Sequence, residues 1–240
     1  MSSTQRPVAL VTGGGQRLGA AISRALATRG YDVAVHCRAS CADADALVAA
    51  LGRGARRFTA DLAVAEAPAR LVDSVMATYG RLDLLVNNAA SFERTPLDTV
   101  TVEQWDRIFA VNLRAPFFLA LSAARVMATG GSIINLSDLA GFETWPAYIP
   151  HGLAKSGVAA MTRALASQLA PRVRVNAIAP GVVLPPDDMD PAEVDRLATS
   201  TPLGRHGTPG DVVQAVEYFL DATFVTGQVL FIDGGRHVRR

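Results

Sequence analysis

Short apolar runs alternate with longer one-sided stretches along the whole chain. Val8-Ala9-Leu10-Val11 is a continuous apolar run of strand length, the pattern of a strand covered on both faces. It ends at Thr12 and three glycines. Over residues 17–29 the apolar spacing changes: Leu18, Ile22 and Leu26 recur on one helical face, and Gly30 stops the pattern. The same alternation predicts strands at 31–37, 55–60, 82–86, 131–136, 172–178 and 228–232. Helices are predicted at 42–51, 68–79, two across 102–127, 150–169 and 211–220. Leu71, Val72, Val75 and Met76 face inward from the 68–79 helix. Pro150 lies near the first turn of its helix, where a missing N–H costs little. Residues 187–200 read as a polar, Pro-containing excursion, and 185–191 has the composition of a mobile substrate loop or of an ordinary surface loop.

Strands that alternate with helices throughout predict an α/β fold. It is a single-domain, Rossmann-type, doubly wound parallel sheet of about seven strands over residues 1–240, with helices on both faces. No repeat, low-complexity segment or linker interrupts it.

Composition narrows the function classes. Half of the 240 residues are hydrophobic and 19% are charged, which excludes a disordered or fibrous chain. Lys+Arg number 23 against 22 Asp+Glu, so no global field draws the protein to nucleic acid or to an anionic membrane. Cys37 and Cys41 are too few for a disulfide scaffold or a cysteine-rich zinc site; they fit a reducing compartment, and no metal is expected. The stretch before Pro7 is short and polar and reads as neither signal peptide nor membrane span, so a cytoplasmic protein is expected. Lys155 is the only lysine against 22 arginines, which asks what an arginine could not do there.

Two segments carry candidate chemistry. Thr12-Gly13-Gly14-Gly15-Gln16-Arg17-Leu18-Gly19 lies between a strand and a helix. There a glycine turn lets backbone approach a pyrophosphate and the helix N-terminus faces its charge. The second strand then ends His36-Cys37-Arg38-Ala39-Ser40, with no acid until Asp43. An acid at that point would bond a ribose 2′-hydroxyl and repel a 2′-phosphate. Arg38, Ser40 and the nearby Arg17 instead suit the phosphate, which favours NADPH over NADH.

With these residues the chain resembles the short-chain dehydrogenase/reductase family over essentially its whole length. The likeness includes the glycine turn, Asp61-Leu62, Asn87-Asn88-Ala89-Ala90, Asn112, the Lys155 helix, Pro180-Gly181 and Asp233-Gly234-Gly235. Within the family it is most similar to pteridine and dihydromonapterin reductases. Arg17 replaces the usual middle glycine of the turn. Asn88-Ala89-Ala90-Ser91-Phe92 with Thr95-Pro96-Leu97 resembles their pterin-stacking segment, and Thr226-Gly227 through His237 resembles the dihydromonapterin reductase tail. The resemblance implies that Gly13, Arg17, Leu18, Gly19, His36, Arg38 and Ser40 hold the phosphate end of the cofactor. Asp61 and Leu62 would hold adenine. Asn88, Ala89, Pro180, Gly181 and Val182 would line the nicotinamide half, and Lys155 would bond its ribose. Arg17, Phe92 and Tyr148 would contact a planar substrate. The family also implies a homotetramer packed through the helices near 111–127 and 150–169.

The catalytic pattern departs from the family. Its acid is usually a Tyr four residues before the Lys; here His151 stands there, a neighbour of Lys155 on the same helical face. Thirteen residues before His151, where most members have Ser and pteridine reductases have Asp, stands Asp138, and Asn112 matches the helix-bending Asn. Ala90 and Val183 stand where pterin-contacting serines are expected. The expected catalytic set is Asn112, Asp138, His151 and Lys155. A ketone oxygen is a weak base and needs a strong donor as its alkoxide forms, whereas an imine nitrogen can collect a proton from Asp138, His151 or water. The Tyr-to-His change therefore favours hydride transfer to a C=N bond of a planar heterocycle such as a dihydropterin or cyclic imine. A carbonyl reductase with His151 in place of Tyr is the alternative, as is an NADPH-binding module that has lost its chemistry.

Overall fold

The computed structural model describes residues 5–39, 41–52, 54–185 and 190–238. Seven strands form one fully parallel sheet in the order β3-β2-β1-β4-β5-β6-β7. In chain order they are β1 (Val8–Val11), β2 (Asp32–Cys37), β3 (Ala55–Thr59), β4 (Leu84–Asn87), β5 (Gly131–Leu136), β6 (Val173–Pro180) and β7 (Val229–Ile232). The helices are α1 (Arg17–Thr28), α2 (Ala42–Leu51), α3 (Ala67–Tyr79), α4 (Val102–Phe109), α5 (Ala115–Val126), α6 (Ile149–Leu169), α7 (Pro191–Thr199) and α8 (Pro209–Asp221). The chain winds outward from β1 to β3 and then returns to lay β4 against the other side of β1. That reversal opens a crevice beyond the carboxyl ends of β1 and β4.

Strand alternation assigns the two faces. Val8 and Leu10 join Leu71, Val75, Leu119, Ala123 and Leu165 in one buried cluster. Ala9 and Val11 turn the other way, to Ile22, Leu26, Val212, Val216 and Phe219. Each such Leu, Ile or Phe removed from water contributes about 1.5–3 kcal/mol. Both clusters are needed to hold a β1 of only four residues.

Three features differ from the pattern expected of the sequence. Residues 191–199 form a helix, α7, rather than an irregular excursion; the Asp190 carboxylate accepts from the Ala192 N–H at 2.8 Å and starts it. Residues 102–126 are one helical run with a π turn, Ala110–Arg114, between α4 and α5. This run, Val102–Val126, is the one helix among the described residues that is long and apolar enough to cross a membrane, and half of its apolar window is buried inside the protein. Finally, Cys37 and Cys41, expected to suit a reducing compartment, are joined as a disulfide. The end of β2 and the cap of α2 bring their Cα atoms to 5.8 Å, so the four-residue spacing closes a loop around Arg38. Ser40 and residues 186–189 of the expected substrate loop lie outside the described residues.

Candidate active site

A cleft of about 680 Å³ occupies the crevice at the switch point. The glycine turn forms its floor, Arg38 and Asp43 one end, Asp61 and Leu62 a side, and Asn88 to Phe92 the far end. The turn is held from beneath. Thr12 Oγ accepts from the N–H groups of Asn88 and Ala89 at 2.9 and 3.0 Å. The Asn88 amide donates to the carbonyls of Thr12 and Gly13 at 2.9 and 3.1 Å. A Cβ at Gly19 would strike the Gly13 carbonyl and the Asn88 amide, so Gly19 is required for this approach. Arg17 sits at φ +48°, a left-handed conformation that costs a non-glycine residue roughly 1–2 kcal/mol. Its guanidinium donates to the Leu184 carbonyl at 2.8 Å, which ties the turn to the segment after β6.

The cofactor residues expected from the sequence divide into two groups. Gly13, Arg17, Leu18, Gly19, Arg38, Asp61, Leu62, Asn88 and Ala89 line the cleft. Arg38 is exposed at its rim. His36 also borders the cleft, but its ring is 2% exposed and both nitrogens are spent on the protein. Nδ1 accepts from the Gly13 N–H at 3.1 Å, so Nε2 carries the proton toward the Ala60 carbonyl at 3.0 Å. Burial lowers its pKa below the ordinary 6.5, only partly offset by that carbonyl and by Asp61. With both ring nitrogens bonded to backbone, His36 positions the glycine turn from the cleft wall. Pro180, Gly181 and Val182 do not line this cleft; the Gly181 N–H donates to Ile232 at 2.9 Å and the Val182 carbonyl accepts from Gly207 at 2.9 Å.

Asn112, Asp138, His151 and Lys155 come together behind Ser91 and are not among the residues that line the cleft. The π turn points Asn112 inward, where its amide pairs with both backbone groups of Ser91 at 2.8 Å. His151 Nδ1 lies 3.3 Å from Asn112 Nδ2 and 3.3 Å from the Ser91 carbonyl. Its other nitrogen, Nε2, is buried without a hydrogen bond and faces Asp138 Oδ2 at 3.5 Å. Asp138 is held by its second oxygen, which accepts from the Ala140 N–H at 2.8 Å. Lys155 is buried, and its Nζ donates to the Leu136 carbonyl at 2.8 Å. Burial lowers its pKa, and Asp138 opposes that shift.

Phe92 and Tyr148 were expected to sandwich a substrate. They instead stack on each other, 4.5 Å between centroids and 8° between planes, so no slot lies between the rings. Phe92 also meets the His151 ring edge-on at 4.9 Å and covers it, although Phe92 itself is 56% exposed. Sequence reasoning missed Ser91, whose backbone joins Asn112 to His151, and the Glu143–Trp145–Arg236 cluster that adjoins Tyr148. Ser91 was legible only as the neighbour of Phe92. The cluster left no sequence signal, because its partners are far apart in the chain.

The sequence profile of the enoyl-(acyl carrier protein) reductase family matches residues 15–237. The ketoacyl reductase 2 assigned to granaticin polyketide synthase of Streptomyces violaceoruber is 37% identical, over 98% of this chain and 97% of that protein. The 3-oxoacyl-[acyl-carrier-protein] reductase of Synechocystis sp. is 32% identical over 98% of both chains. Among solved structures, the FolM alternative dihydrofolate reductase 1 of Brucella canis, complexed with NADP, superposes with a TM-score of 0.90. It is 34% identical, and the match covers 98% of this chain and 95% of that one.

Proposed function

Since the chain belongs to the short-chain dehydrogenase/reductase family of oxidoreductases, we propose that it is an NADPH-dependent reductase of a C=N bond in a planar heterocycle, a dihydropterin or a cyclic imine. The cleft fits a phosphorylated dinucleotide. Its glycine turn admits backbone to a pyrophosphate, and Arg38 stands at the rim with no carboxylate closer in sequence than Asp43. When bound, NADPH supplies the hydride. Arg38 and Ser40 would hold its 2′-phosphate, Asp61 and Leu62 its adenine, and Lys155 the nicotinamide ribose. One of the three N–H donors of Lys155 is spent on Leu136, which leaves the others for hydroxyls.

The observation that carries the C=N assignment is the imidazole in the acid's place. His151 Nε2 is buried, has no hydrogen bond, and faces a carboxylate. An imidazole N–H beside that carboxylate would suit a basic imine nitrogen better than a carbonyl oxygen. Substrate reaches Nε2 once Phe92 swings aside, and the freed ring then stacks on the heterocycle. FolM supports this reading, since dihydrofolate contains a dihydropterin ring. The ketoacyl and 3-oxoacyl relatives favour a second one, a ketone reductase.

NADPH consumption across dihydropterins, cyclic imines and ketones separates the two. Faster turnover of the C=N compounds is the expected result, and faster turnover of cyclohexanones replaces the first reading by the second. NADPH binding with no turnover on the whole panel marks a module without chemistry. We propose a homotetramer. The apolar groove lined by Phe109, Leu113, Phe117 and Met161 beside α5 and α6 supports the assembly, and light scattering at a tetramer mass tests it.

A further inference from the structure

We propose that Arg236 and Glu143 form a positioning pair that fixes the aromatic wall of the substrate side, and so set which flat substrates enter. This rests on the reductase reading above. The observations begin at the C-terminal turn. Asp233 is buried and accepts from the N–H groups of Gly235 at 3.0 Å and His237 at 2.7 Å, and from the His237 ring at 2.8 Å. Gly234 and Gly235 take φ +63° and +85°, so a side chain there would be strained. This turn aims Arg236 back across the fold.

The guanidinium of Arg236 meets Glu143 with two bonds, Nε to Oε1 at 3.2 Å and Nη2 to Oε2 at 3.0 Å. The same Oε2 accepts from the Trp145 indole N–H at 3.1 Å. Both charged side chains are largely buried, at 21% and 25% exposure. A planar fork on a carboxylate in such a setting fixes direction as well as distance. A second grip lies beside it: Phe231 stacks on His237 at 3.9 Å and meets Phe142 edge-on at 4.6 Å. Phe142 and Glu143 are thus both held by the C-terminal segment, and Trp145 is held through Glu143.

The consequence reaches the site through rings. Trp145 meets Tyr148 edge-on at 6.4 Å, Tyr148 stacks on Phe92, and Phe92 covers His151. With Glu143 held, Trp145 keeps Tyr148 where Phe92 can lie flat on it. With Glu143 released, the indole loses its acceptor and the wall loses its fixed plane. Among the described residues, the side-chain bonds of Arg236 and Glu143 run to each other and to Trp145 and none to the residues lining the cleft, so cofactor affinity should not follow.

Trp105 and Trp145 are the only two tryptophans, so Trp105→Phe leaves Trp145 as the single reporter. In that background, Arg236→Gln and Glu143→Gln should each shift Trp145 emission and raise its quenching by acrylamide. They should also raise KM for the substrate found on the panel about five- to tenfold. The Kd for NADPH and kcat should stay within about twofold. Arg236→Lys should restore charge but not the fork, and recover only part of KM. The exchange Glu143→Arg with Arg236→Glu should recover more than either single reversal. Unchanged Trp145 emission in both Gln variants overturns the proposal, as does a loss of NADPH affinity equal to the rise in KM. If no panel compound turns over, the reductase reading fails by itself. The emission arm then still decides whether the pair holds the wall.

Discussion

Replacing His36 tests how the cofactor turn is built. In the wild type its ring satisfies two part-buried backbone groups at the cleft wall, the Gly13 N–H and the Ala60 carbonyl. In His36→Phe both lose that partner. An unsatisfied group costs about 1–3 kcal/mol where water is excluded and less beside an open cleft, so a loss of about 1–3 kcal/mol in stability is expected for the two together. The Gly13 share falls directly on the turn. At 1.4 kcal/mol for each tenfold, NADPH affinity should drop roughly tenfold. The pH dependence has a definite sign. Burial holds the folded pKa of His36 below its ordinary 6.5. Above 6.5 the ring is neutral in both folded and unfolded chains and its contribution is complete. As pH falls below 6.5 the unfolded chain takes up a proton first, and that contribution is lost progressively toward the lowered folded value. The assay is chemical denaturation and NADPH titration by fluorescence, at pH about 8 and about 5.5 for wild type, His36→Phe and His36→Gln. The Gln amide offers one donor and one acceptor, so it should recover part of the affinity without the acid-side slope. Wild-type affinity in His36→Phe, or an identical loss of stability at low pH in all three proteins, would refute the assigned role.

Other consequences follow from the same geometry. Arg38→Ala should weaken NADPH roughly tenfold or more while leaving NADH nearly unchanged, which competitive titration with the two coenzymes reads directly. His151→Phe should lower kcat/KM at least tenfold while NADPH affinity stays within about twofold; wild-type turnover in that variant takes the imidazole out of proton handling. Lys155→Met should abolish most turnover. It should also remove a stability term that grows as pH rises from the lowered folded pKa of Lys155 toward its ordinary 10.5. Tyr79, pushed up to about 12 by burial, acts with the opposite sign, so the measurement is the difference between wild type and variant across that range.

The fold was legible wherever one physical rule governed a whole segment. The alternation of strand-length and helix-length segments located all seven strands, and the glycine turn after the first strand pointed to a dinucleotide site. α7 was missed because its apolar residues are sparse; the usable sign was Asp190 followed by Pro191, a capping acid before a first-turn proline. In the site, the adjacency of His151 and Lys155 was legible from spacing, because i and i+4 on one helix must adjoin; Asn112 and Asp138 joined them only through the family resemblance. What spacing could not carry was what each atom is spent on. His36 was read as a cofactor contact from its place at a strand end, yet its bonds run to Gly13 and Ala60, far off in sequence. Phe92 and Tyr148 were read as two walls, and only coordinates show two rings in contact. Cys37 and Cys41 sat at a spacing whose meaning depends on how sharply the strand turns into the helix. Glu143 and Arg236 stand 93 positions apart, with no periodicity to connect them.

A chain with one lysine, and that one enclosed, has an unusual reagent map. Acylating agents directed at lysine meet a single target, and only when the interior opens around Lys155. The fraction of molecules carrying that one addition therefore reports opening around the buried His151–Lys155 pair, without any engineered label. Coenzyme bound beside that pair should slow the addition.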